Sequence, residues 1–242
     1  MLNAHHGDLP AYRGNACTNW ALLRDESEIV CSVHLMEGGR LDCGRVIVQE
    51  AMPVLPSTVL ADVYQWSESV TPGLFVKAVR RLEADPEACL KYADPNASGA
   101  FRCFPRLLQD SWIDWAQPPR EVHNLIRASS EPLPGAYTFL WEEGRVRKLR
   151  VLQSRVVVAQ TADVAMAGHV LKNDAVAGES LVRCGRGVLA LLRCRYEDEA
   201  AAFAPGERWH SIRKRLGVNP ADWLWALQTG AGPADLLGKS PS

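Results

Sequence analysis

Near Ala136 the chain changes how it spaces its apolar residues, and that change limits the folds open to it. From there on the apolar residues fall in short runs: Tyr137–Trp141, Val146–Val158, Ala165–Leu171, Leu181–Cys184 and Val188–Cys194. Gly144, Gly168, Gly178, Gly185 and Gly187 lie between or beside them. Short runs punctuated by glycine read as strands joined by tight turns, and several in succession predict a small antiparallel barrel.

Upstream the pattern is mixed. Met1–Ala4 reads as the end of a strand. Thr18 is placed to cap a short helix through Trp20–Leu23. Glu28–Met36 alternates, with Ile29, Cys31, Val33 and Leu35 on one face and Val30, Ser32, His34 and Met36 on the other. Arg45–Gln49 is a second strand, paired or neighbouring, with Asp42 at the connection. Residues 56–92 carry apolar residues at helical spacing, with Pro72-Gly73 marking a break. Asp94–Pro105 reads as a polar linker. Pro118-Pro119 opens a helix that Pro132 stops, because proline at the first turn needs no amide partner. Glu207–Leu216 is a short helix candidate, and Gly230–Ser242 is expected to fray. The domain expectation is therefore 1–110, 111–200, and a C-terminal helix and tail over 201–242.

Bulk properties narrow the function. The chain has 242 residues, enough for one large or two medium domains with a substantial core. Its net charge of -1 excludes a general polycation built for nucleic acid or anionic membrane. No apolar run reaches transmembrane length and the first residues show no basic-then-apolar pattern, so neither a membrane helix nor a secretory signal is expected. Its cysteines are odd in number, with no C-x-x-C pair, and read as reduced thiols of a cytoplasmic protein rather than zinc ligands.

The chemistry gathers near the start, in Asn3-Ala-His5-His6-Gly7-Asp8-Leu9-Pro10 and Leu41-Asp42-Cys43-Gly44. Asn3 and His5 alternate, so on a strand they point to one side. An asparagine amide can donate to an oxygen as negative charge builds on it, and a histidine near neutral pKa can accept a proton from an attacking amine. Asp42 is a candidate to orient that histidine or to take the proton. The residues alone leave plainer readings open. A histidine in a polar loop is often only solvated, and an aspartate in such a turn often bonds its own backbone. A metal site of His6 beside His5, with Asp42 and Cys43, is the lesser reading, because it has no visible supporting partners.

The order of segments adds to this. Asn3–Gly14 resembles the N-x-H-…-L-P-x-[YW]-R-G segment of the folate-dependent formyltransferases. Asn19–Leu22 and Gly39–Gly44 resemble the segments that follow. Ile113–Trp115, His123–Ala128 and Pro132–Thr138 look like the junction into that family's C-terminal domain, and the colinearity runs over roughly residues 2–195. The resemblance implies an α/β fold: the C-terminal part of a Rossmann-like domain followed by a small antiparallel, OB-like β-barrel. It implies that Asn3, His5 and Asp42 are the catalytic trio. The implied reaction moves a formyl group from 10-formyltetrahydrofolate to a primary amine, with no metal. The implied acceptor is initiator methionyl-tRNA or, alternatively, an amino group on a nucleotide-linked sugar. Two departures stand out. Many relatives read H-G-S where this chain reads His5-His6-Gly7. The βα units that precede the Asn-x-His strand in the family are also missing, which raises a fragment, a non-catalytic relative, or an oligomer with a complementing chain as further expectations.

Overall fold

The alternating stretch from Glu28 builds the centre of the first sheet. The computed structural model describes residues 1–142, 145–158 and 163–229. It divides into two compact units, one of Met1–Ser111 with Arg127–Pro134, the other of Trp112–Ile126 with Gly135–Ser242. In the first unit the elements are β1 (Leu2–His5), β2 (Tyr12–Gly14), α1 (Cys17–Leu23), β3 (Glu28–Leu35), β4 (Gly44–Pro53), α2 (Leu60–Ala84), β5 (Lys91–Ala93) and β6 (Phe101–Cys103). Helix α3 (Pro119–Ala128) follows, then β7 (Ala136–Glu142), β8 (Arg145–Val157), β9 (Val170–Asp174), β10 (Glu179–Arg183), β11 (Val188–Tyr196), α4 (Pro205–Arg208) and α5 (Pro220–Thr229).

The main sheet of the first unit has the order β1-β3-β4-β5 and is antiparallel throughout. Its register sets Asn3 opposite His34 and His5 opposite Ser32. The period of two then separates the faces. Cys31, Val33 and Ile47 pack on Leu74 and Ala78 of α2, with Leu2, Ala4 and Leu35 alongside. Asn3, His5, Ser32 and His34 fall on the other face. The Rossmann-like expectation holds only as mixed α/β content. Among the described residues the one parallel ladder is the short β2–β6 pair, which brings Gly14 beside Cys103. Strands β5 and β6, of three residues each, were not expected, and β6 lies inside the stretch read as linker.

Helix α2 runs unbroken through Pro72-Gly73. Proline inside a helix costs about 3 kcal/mol. Here both halves of the helix are anchored, Leu60 and Val63 in one cluster and Leu74 and Ala78 in another. That burial outweighs the local breaker. Helix α1 starts at Cys17 behind Ala16, whose φ of 53° turns the chain, so Thr18 is not the cap.

The second unit is a five-stranded antiparallel sheet of order β7-β8-β11-β10-β9. Its core includes Leu140, Leu149, Val151, Leu189, Leu191 and Tyr196. The strands expected from sequence are there, but the closed barrel is not: no ladder joins β7 to β9 among the described residues. Instead Arg215 and Leu216 bridge singly to His169 and Leu140. Leu216 donates its amide to Gly168 O over 2.8 Å, and a Cβ on Gly168 would stand 2.0 Å from Leu216 O. That contact holds the chain extended where a helix over Glu207–Leu216 was expected, and only Pro205–Arg208 is helical. Helix α5 was not expected. Gly144 and the tail from Gly230 lie outside the described residues. Among the described residues no helix is long and apolar enough to cross a membrane.

Gly73 sits mid-helix with nothing within 4 Å of an added Cβ. Gly73→Ala is expected to stabilise the protein by about 1 kcal/mol, read as a higher urea midpoint with an unchanged slope.

Candidate active site

The site starts with the edge strand β1 and the loop that leaves it. Three side chains pin this loop to the sheet. Ser32 Oγ donates to Gly7 O over 2.7 Å. Gln49 Nε2 reaches both Ser32 Oγ (2.7 Å) and Asp8 Oδ1 (3.0 Å). Lys91 Nζ pairs with the same Asp8 oxygen at 2.6 Å. Leu9 is fully buried with Val46 and Ala93. The sheet thus fixes the backbone on both sides of His5 and His6.

His5 is 8% exposed, and its Nε2–H donates to Tyr12 O over 2.7 Å. That bond assigns the tautomer and leaves Nδ1 as the open, proton-accepting nitrogen. Nδ1 faces Asp42 Oδ2 at 3.6 Å. Burial holds the imidazole below the usual histidine pKa. The Asp42 carboxylate and the Tyr12 carbonyl oppose that effect, and His34 and His6 add to it. The ring is therefore neutral at pH 7 and has a counter-charge ready when it takes a proton. Asp42 is held in the left-handed region, φ 48°, and its Oδ2 accepts the Gly14 amide over 2.8 Å.

Asn3 has a different partner. Its Nδ2 donates to His34 Nε2 over 3.2 Å, while His34 Nδ1–H donates to Cys43 O over 3.3 Å. His34 is 1% exposed and fixes the asparagine amide, leaving its second N–H free to point elsewhere. His34 belongs to none of the sequence motifs that carry the chemistry. Its one usable signal was an imidazole on the same strand face as Ser32, where an apolar residue would serve for packing alone. The structure pairs His5 with Asp42. Asn3 is on the same strand face, joined to the Asp42 turn through His34 and Cys43 O.

Gly7 carries a steric condition. A Cβ there would stand 2.6 Å from His5 Nε2 and 2.7 Å from Tyr12 O. The hydrogen bond that fixes His5 passes through the volume a side chain would fill. His6 points elsewhere, with Nε2 3.4 Å from Thr71 Oγ1 of α2. A cavity of about 210 Å³ beside the loop is lined by His6, Gly7, Tyr12, Cys17 and Phe101 among others. Among the described residues no cluster of three or more His, Cys, Asp or Glu is arranged to hold a metal.

This geometry has relatives. The formyl transferase family model matches residues 1–79, and that family's C-terminal domain model matches residues 108–206. A methionyl-tRNA formyltransferase of Geobacter sulfurreducens is 30% identical over 214 residues. The alignment covers 86% of this chain and 62% of that relative, so the chain spans about three fifths of its length. Among solved structures, WlaRD, a sugar 3N-formyl transferase with dTDP and 5-N-formyl-THF, is similar at TM-score 0.59 and 18% identity, covering 82% of this chain and 66% of that one. An N-formyltransferase from Helicobacter canadensis, with folinic acid and dTDP-3-aminofucose, is similar at TM-score 0.58 and 20% identity, covering 79% and 65%. HypX of Aquifex aeolicus in complex with tetrahydrofolic acid is similar at TM-score 0.56 and 17% identity, covering 81% and 32%. At these identities the structural likeness speaks to the fold. With both domain models matched in order along its length, the chain belongs to the formyl transferase family of one-carbon transferases.

Proposed function

We propose that the protein transfers a formyl group from 10-formyltetrahydrofolate to a primary amine, with Asn3, His5 and Asp42 as its catalytic residues. The observation that carries the proposal is the buried, neutral His5, with Nε2 committed to Tyr12 O and Nδ1 turned toward Asp42. The residues present suit the reacting end of the donor: an oriented amide donor, a neutral base and a carboxylate on one side of a strand. They do not enclose the rest of it. The cavity of about 210 Å³ is smaller than the roughly 300–1,000 Å³ of clefts that hold ligands of that size.

When bound, the donor supplies the formyl carbon as electrophile. The second N–H of Asn3 is available to the formyl oxygen as charge builds there. His5 Nδ1 takes the proton that the acceptor nitrogen sheds as it bonds the carbon. The Asp42 carboxylate stabilises the imidazolium so formed. The proton then goes to the donor nitrogen as its bond to carbon breaks, which returns His5 to its neutral state.

The relative at 30% identity favours methionyl-tRNA as the acceptor. A second acceptor, an amino group on a nucleotide-linked sugar, is favoured by a specific observation in the second unit. The basic run Arg145–Arg150, the sequence's one candidate phosphate contact, is occupied internally. Arg145 and Arg147 pair with Asp198, and Arg147 also with Glu199. Lys148 and Arg150 pair with Glu197, the latter through two bonds of 2.6 and 2.9 Å. A small acceptor does not need that run. Formyl transfer measured with charged tRNA and with amino-sugar nucleotides, side by side, separates the two.

His5→Gln and Asn3→Ala are each expected to lower kcat by about 10²–10³-fold with the fold retained by circular dichroism. Near-native turnover in either variant removes that residue from the mechanism. Turnover is also expected to fall on acidification through a pKa below the usual 6.5, because His5 must be neutral to accept a proton. Asp42 raises that pKa, so Asp42→Asn is expected to move the acid limb to still lower pH. A pH–rate profile of the residual activity checks the sign.

A further inference from the structure

The sheet of the second unit keeps two outer strands, β7 and β9, and one segment runs between them. On the β9 side Val170 donates its amide to Lys214 O over 3.1 Å, and Leu216 donates to Gly168 O. On the β7 side Gly217 and Val218 donate to Phe139 O over 2.8 and 3.1 Å. These few bonds do not fill the space. A cavity of about 880 Å³ remains, lined by Trp141 of β7, Val170 and Leu171 of β9, and Ile212, Arg213 and Arg215 of the segment, among others. All of these residues belong to the second unit. The volume lies within the roughly 300–1,000 Å³ of clefts that hold small molecules.

The walls are of two kinds. Trp141, half-buried, and the aliphatic Val170, Leu171 and Ile212 make one apolar. The other is cationic, and its donors are uncommitted. Arg213 and Arg215 alternate along extended chain and share an exposed side. Lys214 and Leu216 take the opposite side, where Lys214 pairs with Glu142 and Leu216 is buried. Among the described residues the Arg213 guanidinium has no partner, and Arg215 commits only Nε, to Ala167 O at 3.3 Å. His169 accepts the Met166 amide at Nδ1 over 3.2 Å. That bond puts the imidazole proton on Nε2, which has no partner among the described residues. The carboxylate on the wall is Asp163, which is exposed. Two guanidiniums and an imidazole N–H against one carboxylate leave the cavity attractive to an anion.

We propose that this cavity binds a small aromatic phosphate ester. Its aromatic body packs against Trp141 and the aliphatic wall, and its phosphate takes the donors of Arg213, Arg215 and His169 Nε2. Each guanidinium presents a fork of N–H groups that matches phosphate oxygens. The three terminal oxygens of a phosphate accept from both forks and the imidazole at once, which the two oxygens of a carboxylate do not. The apolar wall adds burial that inorganic phosphate cannot use. The site uses none of Asn3, His5 and Asp42, so it stands whether or not the chain transfers formyl groups.

The full chain is titrated with 1-naphthyl phosphate and followed by amide NMR. Saturable binding is expected with a Kd of about 1 mM or tighter, with shifts at Trp141, residues 169–171 and residues 212–219. Inorganic phosphate supplies the anion alone and 1-naphthol the aromatic body alone, and each is expected to bind at least about tenfold more weakly. Arg213→Gln combined with Arg215→Gln is expected to weaken the ester by about tenfold or more and to leave 1-naphthol unchanged. Both positions are exposed, and an unaltered circular dichroism spectrum shows that the variant folds. Absence of binding at millimolar ester, equal affinity in the double variant, equal affinity for inorganic phosphate, or shifts at His6 and Gly7 instead overturns the proposal. An RNA stem-loop that shifts the cavity amides where the ester does not also overturns it, because the face then serves a polyanion. None of these measurements uses a formyl donor or acceptor, so failure here is distinct from failure of formyl transfer.

Discussion

The hydrogen bond from His5 Nε2 to Tyr12 O organises the candidate site, and it exists because residue 7 has no side chain. With Nε2 occupied, Nδ1 is the only nitrogen left for chemistry, and the ring plane turns it toward Asp42. With the ring buried, the neutral form is the resting state. The rest of the loop serves this bond. Ser32 holds Gly7 O, Gln49 and Lys91 hold Asp8, and Tyr12 is itself anchored by its hydroxyl on Glu26 at 2.5 Å. The departure of His5-His6-Gly7 from the H-G-S of many relatives is therefore a packing matter. A serine at position 7 could not coexist with this His5 orientation.

What the sequence disclosed follows from the range of the forces involved. The alternation of Asn3 with His5 and of Cys31 with Val33 is a local, period-two signal, and both strands formed where it pointed. The turn at Asp42 was legible for the same reason. His34 was not. A histidine on a buried strand looks like a core residue until the register, with its slip after Val33, brings it to Asn3 and Cys43 O. Strands β5 and β6 are too short to show a period, and they form because β4 and β2 offer them free edges.

Two of the differences between sequence expectation and structure share a cause. Pro72-Gly73 is a local breaker, and the helix continues because distant residues bury both of its halves. Glu207–Leu216 has helical spacing, and the close approach of Leu216 to Gly168 holds it extended. Barrel closure has the same character. Glycine spacing predicted strands, but whether the first strand meets the last is decided by register and tilt, which no local pattern carries.

The paired charges of β8 and the segment after β11 have a kinetic consequence. Glu197, Asp198 and Glu199 pair with the cations of Arg145–Arg150, and Glu197 and Glu199 are held at about 2 by their arginine partners, so the pairing persists across the physiological range. Four cations of the run face three carboxylates, one of them shared with Arg208, so a polyanion nearing this face meets a largely compensated surface with only a small residual positive charge. The pairing weakens any electrostatic steering of a polyanion to this face and, with it, the dependence of its capture on ionic strength.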